Sequence, residues 1–240
     1  MTAFFQRQPD VNPSHSLRAL ALLLSYPNAE LRAVLPELQQ VLDDECAVPE
    51  QRLQGLNKLL NSLMKSDTFA VEEDYVELFD RGRATSLHMF EHVHGDSRDR
   101  GPAMIDLIKT YEQAGLLLDP TKVGGELPDY LPVVLEFVST LPAAQMRDFI
   151  GEIAHILNSV HTALVKRQSL YAHVLGAALE IGRHEIETVT VVADEDLDES
   201  WAEPEAFAGC STKGQQSPGQ PQPIQIVRRS ASKPQRGASA

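Results

Sequence analysis

A chain of 240 residues with 42% hydrophobic side chains has enough apolar material for a packed core, which excludes wholesale disorder. Its formal charge of −13, from 34 acids against 21 Lys and Arg, leaves no general basic field for releasing counterions from a nucleic acid. The only two cysteines, Cys46 and Cys210, are too few for a disulfide-stapled secreted domain or a thiolate zinc site.

The charge is unevenly spread. Residues 1–184 hold 16 bases and 25 acids, residues 185–205 hold nine acids and no Lys or Arg, and residues 206–240 hold five bases and no acid. Near the start, the longest wholly apolar run is Ala19–Leu24. A membrane span needs about 18 or more apolar residues, and a signal peptide about 7–15 before a cleavage site. The expectation is a soluble cytoplasmic protein without a membrane span.

Helical periodicity then runs along the chain. Leu53, Leu56, Leu60 and Leu63 step by threes and fours, as do Val71, Tyr75, Leu78 and Phe79. Met104, Leu107, Ile108 and Tyr111 repeat the pattern, followed by Leu131, Val134, Leu135 and Val138. Met146, Phe149, Ile150, Ile153 and Leu157 form the next stripe, and Tyr171, Val174, Leu175, Ala178 and Leu179 the last. Such spacing lines one side of a helix. Pro49, Pro102, Pro128 and Pro142 stand near the starts of these stripes, Gly101 is placed as an N-cap, and Gly115 and Gly182 fit C-termini. Pro36 and Pro132 lie early in their segments and mark restarts or kinks. The only β-branched run, Thr188–Val192, has no evident pairing mate and reads as an extended exit segment.

These patterns predict an all-α bundle of about eight or more helices ending near residue 190. The domain boundary falls at residue 192. Residues 193–240 are expected to be an acidic spacer and a disordered basic tail rich in Ser, Gln, Pro and Gly.

Three segments carry candidate chemistry. His88-Met89-Phe90-Glu91-His92 matches H-x-x-E-H, which on a helix places two histidines four apart for zinc with Glu91 as base. The competing reading is a surface or interface histidine cluster, since no third ligand is evident. The loop Gly95–Pro102 alternates acids and arginines between two helices and lacks the G-K-[ST] of a phosphate loop. In Glu126-Leu127-Pro128-Asp129-Tyr130-Leu131-Pro132, the acids read best as caps of the helix that follows. No nucleophile elbow, triad or dinucleotide fingerprint is present, so the residues alone reach a helical domain with two polar loops.

Those loops resemble a known family. Tyr75–Asp80 followed by Ser86–Gly101, and then Glu126–Phe137, are similar to the two signatures of the nitrate reductase molybdenum cofactor assembly chaperones. These are also called delta chains of respiratory nitrate reductase and are relatives of the TorD-like maturation proteins. The resemblance extends over about residues 15–190. Where the family commonly has histidine, this chain has Tyr130, which keeps a hydrogen-bond donor but not a titrating imidazole.

The resemblance implies an all-helical TorD-like bundle that is not an enzyme. Its partner would be the apo catalytic (alpha) subunit of nitrate reductase, including that subunit's N-terminal segment, with molybdenum cofactor biosynthesis proteins as further partners. It implies help with inserting molybdenum cofactor and an iron–sulfur cluster before membrane docking, with no cofactor held stoichiometrically and no resident metal. A generic helical scaffold and a zinc hydrolase built on His88, Glu91 and His92 stand as alternatives. A short segment meets a helical bundle most readily in a groove with apolar anchors and charges that fix register. The 86–101 and 126–137 segments are therefore expected to flank one groove. Its contacts are Met89, Phe90, His92, His94, Asp96, Arg98, Glu126, Leu127, Asp129 and Tyr130, with Asp96, Glu126 and Asp129 facing basic residues.

Overall fold

A computed structural model of the protein describes residues 13–95, 97–119 and 125–190. The acidic spacer and basic tail, residues 191 and 192 of the exit segment, and Asp96 lie outside the described residues.

The first helices follow one another through short turns. These are α1 (Ser14–Leu23), α2 (Ala29–Glu45), α3 (Glu50–Lys65) and α4 (Thr68–Phe79). Asn28 starts α2 by accepting the Leu31 N–H at 2.8 Å, and Asp67 starts α4 by accepting from Phe69 and Ala70. Pro49 occupies the N-cap of α3, and Pro142 that of the later helix Ala143–Lys166. Pro36 neither restarts nor ends α2: the 17-residue helix runs through it. Burial of Leu31, Leu35, Leu38 and Leu42 offsets the roughly 3 kcal/mol that an interior proline costs.

A 3-10 turn (Arg83–Thr85) leads into the five-residue α5 (Met89–Val93), then α6 (Arg100–Gln113), α7 (Leu131–Ser139), α8 (Ala143–Lys166) and α9 (Ala172–Ile181). Two sequence expectations change here. Gly101 is the second residue of α6 rather than its N-cap, which is Asp99. His88 precedes α5 as its N-cap, so His88 and His92 do not share a helix face as the H-x-x-E-H reading requires.

The apolar stripes meet in one core. α1 packs most closely on α7, and α8 on α9, while α2 bridges α1 to α3. Leu17, Leu20, Leu56, Leu60, Leu131, Leu135 and Ile150 lose essentially all solvent contact. Each contributes on the order of 1.5–3 kcal/mol through burial, which helices as short as α7 and α9 need in order to form. An ion pair fastens α3 to α9: Arg52 Nη2 lies 2.9 Å from Glu180 Oε1, and Arg52 Nη1 lies 3.3 Å from His173 Nδ1. Gly55 and Gly176 give this pair its room. A Cβ on Gly55 would stand 2.4 Å from the His173 ring, and one on Gly176 2.5 Å from the Arg52 guanidinium carbon.

Among the described residues the one β feature is an isolated antiparallel bridge between His88 and Tyr130. Beyond α9 the chain makes a turn at 182–183, with Arg183 at positive φ, and residues 184–190 follow without regular secondary structure. No described helix is long and apolar enough to cross a membrane.

Candidate functional site

The bridge joins the two polar segments. Leu131 N–H donates to the Leu87 carbonyl at 2.8 Å and Met89 N–H to the Asp129 carbonyl at 3.0 Å. The Asp129 side chain reaches the same helix start, accepting the Phe90 N–H at 3.0 Å. Asp129 is therefore a cap, as the sequence suggested, but of the distant α5 rather than of the following α7. With its main-chain and side-chain oxygens it satisfies the first two N–H groups of a helix too short to persist alone.

Asp129 has no exposed surface. A carboxylate so buried needs countercharge, and Arg100 Nη2 at 3.8 Å and His88 Nδ1 at 3.4 Å supply it. Arg100 is shared with Glu91, at 3.3 Å from Nη1, which ties the start of α6 to α5. The other His88 nitrogen, Nε2, lies 3.8 Å from Glu126 Oε2. The hydrogen bond with Asp129 holds the His88 imidazole above its ordinary pKa of 6.5, and the carboxylates of Asp129, Glu91 and Glu126 act the same way against partial burial.

Beneath this network lies an aromatic layer. The His88 and Tyr130 rings stand 5.4 Å apart. Tyr130 shares a hydrogen bond of 3.1 Å with the Tyr75 hydroxyl, which donates to the Leu24 carbonyl at 2.7 Å. Burial pushes both phenols above their ordinary range. Tyr75 also packs on Phe79, with centroids 4.8 Å apart, and Tyr111 donates to the Pro128 carbonyl at 2.8 Å. The 126–137 segment thus rests on α6 through the Tyr111 hydroxyl and on α4 through the Tyr130–Tyr75 hydroxyl pair, with α4 tied in turn to the end of α1.

Nine of the ten nominated residues are described, all but Asp96, and they divide by depth. Met89 and Asp129 are buried, and Phe90, His92, His94 and Tyr130 are half-buried. Arg98, Glu126 and Leu127 are exposed, Leu127 at 44%. His92 directs Nε2 to the Ser86 carbonyl at 2.8 Å, and His94 packs its ring against Phe90 at 5.7 Å. The nominated contacts omit His88, Arg100 and Tyr75, which do the bracing. All three stand in or beside the two signatures, but their pairing spans 29 to 55 positions and leaves no local pattern. Among the described residues no three His, Cys, Asp or Glu side chains converge as a metal would require. Each charged group of the network already has an opposite charge beside it, an arrangement that holds backbone in place and presents a surface.

A family model described as nitrate reductase delta subunit matches residues 24–175, which include both segments. The chain belongs to this family. It is 39% identical over 181 residues to the nitrate reductase molybdenum cofactor assembly chaperone NarJ of Escherichia coli K12, covering 74% of this chain and 75% of that protein. Identity is 37% to the probable assembly chaperone NarW of the same strain, covering 69% of this chain and 67% of that protein. It is 36% to the probable chaperone NarJ of Bacillus subtilis, covering 68% and 86%. A crystal structure from Archaeoglobus fulgidus assigned to redox enzyme maturation shares the fold, with a TM-score of 0.50 and 18% identity over 75% of this chain and 96% of that one. The all-helical architecture is the one expected for the family.

Proposed function

We propose that this delta-family chain is a cytoplasmic assembly chaperone for a respiratory nitrate reductase, acting by binding rather than by catalysis. Its partner is the apo catalytic subunit, engaged in part through that subunit's N-terminal segment. The chain holds the subunit open for insertion of molybdenum cofactor and an iron–sulfur cluster, and delays membrane docking until both are in place. The cofactor is cargo for the partner, not a resident of this chain, and the proteins that make it are further partners.

The observation that carries this reading is the braced junction of the two family signatures, supported by the functions in the relatives' names. A buried carboxylate, an arginine, a histidine and two tyrosines hold the segments together, leaving side chains of mixed character on the outside. Phe90 and Leu127 supply apolar anchors, while Glu126 and Asp96 face basic residues of the incoming segment. His92, His94 and Arg98 form the polar rim. Met89, Asp129 and Tyr130 act from beneath, by fixing the backbone that carries the others.

Calorimetric titration with the N-terminal peptide of the catalytic subunit tests the assignment. Leu127→Asp and Phe90→Ala should each weaken binding by about tenfold, the scale of a hot-spot anchor, with Tm little changed for the exposed Leu127. Capture from cells should favour the apo-subunit over the cofactor-loaded one. Folded variants that both bind as tightly as the parent chain would place the contact elsewhere.

A further inference from the structure

The segment after α9 lies along α8 with the hydrogen-bonding period of a β-strand, although its neighbour is a helix. Asn158 Nδ2 donates to the Glu185 carbonyl at 3.4 Å, Glu187 N–H donates to Asn158 Oδ1 at 2.9 Å, and Val189 N–H to Thr162 Oγ1 at 3.3 Å. Thr162 Oγ1 also reaches the Glu187 carbonyl at 3.5 Å. Asn158 and Thr162 are each 4% exposed, so two buried side chains of α8 imitate one edge of a neighbouring strand.

Residues 185, 187 and 189 turn their main chain toward α8. In an extended chain, residues 186, 188 and 190 then turn theirs the opposite way. The N–H and C=O groups of Ile186, Thr188 and Thr190 bond to no described residue, and Thr188 and Thr190 are exposed. The β-branched composition, Ile186 with Thr188, Val189 and Thr190, suits a strand. What results is a segment without regular secondary structure whose main chain pairs like a strand on one edge and is unpaired on the other.

We propose that the open edge of residues 186–190 is a β-augmentation site for an extended, basic, β-branched segment of a partner protein. Main-chain pairing at an exposed edge is a common mode of peptide capture. A free two-stranded ribbon is marginal in water, but here α8 has already ordered one strand, and that preorganisation lowers the cost of adding the other. Charge selects the occupant. Glu185 and Glu187 flank the edge, and the sequence from 185 to 205 holds nine acids and no Lys or Arg. That field repels the same segment of a second copy and favours Lys and Arg. The site is independent of the face formed by residues 86–101 and 126–137.

The test uses the full chain and a short synthetic peptide alternating valine with lysine, with the valine–glutamate peptide as its counterpart. The basic peptide should bind and the acidic one should not. Thr188→Pro removes only an outward N–H, so it should keep the parent Tm and lose at least about tenfold in affinity. Thr188→Val should bind like the parent, because recognition is through the main chain. Hydrogen exchange on the unmodified chain gives a second readout, in which the Ile186 and Thr188 amides slow when the basic peptide is added. Undetectable binding of the basic peptide, equal binding of both peptides, or unslowed amides would each overturn the proposal.

Discussion

Replacing Asp129 separates its role as an acceptor from its role as a charge. In Asp129→Ala the Phe90 N–H, bonded at 3.0 Å in the parent, loses its partner in a buried setting. An unsatisfied buried donor costs about 1–3 kcal/mol, and loss of a helix cap about 1 kcal/mol of the same account. Arg100 retains Glu91 at 3.3 Å and His88 retains Glu126 at 3.8 Å, so neither cation is orphaned. The expected loss is about 2–3 kcal/mol, or about 5–10 °C in Tm for a domain of this size. Asparagine keeps an acceptor for Phe90 and loses only the attraction to His88 and Arg100, whose side chains are 26% and 24% exposed and therefore partly screened. Asp129→Asn should cost about 1 kcal/mol, or about 2–4 °C. Thermal unfolding of the two variants beside the parent reads the difference directly. Equal Tm values for the alanine and asparagine variants would refute the capping argument, and an unshifted alanine variant would refute the bracing role altogether.

Two further outcomes follow from the same packing. His88 has its pKa raised in the folded chain by its bond to Asp129, so it stabilises the fold fully below its ordinary 6.5, and the contribution fades as pH rises through the folded value. Urea unfolding of His88→Gln should show a deficit at pH 6 that shrinks at pH 9; a deficit that grows with pH would reverse the sign of the argument. Gly55→Ala places a methyl 2.4 Å from the His173 ring and should cost about 1–3 kcal/mol, whereas Gly101→Ala, with nothing within 4 Å, should add about 0.5 kcal/mol. The same unfolding series checks both, and a Gly55 variant as stable as the Gly101 variant would contradict the close approach of α3 and α9.

The helices were readable in the sequence wherever one face repeats, as in α3 with Leu56, Leu60 and Leu63 and in α7 with Leu131, Val134, Leu135 and Val138. Boundaries were less readable. Gly101 looked like a cap because Pro102 follows it, yet proline is tolerated throughout a helix's first turn, and Asp99 starts α6. Pro36 looked like a break because local propensity ignores the four leucines that α2 buries. The two polar segments of the site were recognised through family resemblance, but their joining was not visible in the residues. An acid beside a proline reads as a cap of the nearest helix, and no local signal says that Asp129 caps α5, 39 positions away from Phe90. Its burial likewise depends on Arg100 and His88, which approach only in the folded chain. The β-branched run at 188–192 lacked a strand mate for a related reason. Its described part pairs with side chains of a helix, which no strand pattern anticipates.

The five-residue α5 has a consequence for the order in which the chain folds. A helix of that length cannot nucleate alone, and the acceptors for its first two N–H groups arrive with Asp129. During synthesis, residues 86–95 therefore lack these acceptors until the segment through Asp129 has been made. Until then no half-built version of the face is stable enough to persist, because each signature supplies what the other lacks. The junction is therefore completed only when both segments are present, and its formation is tied to long-range contacts rather than to either segment alone.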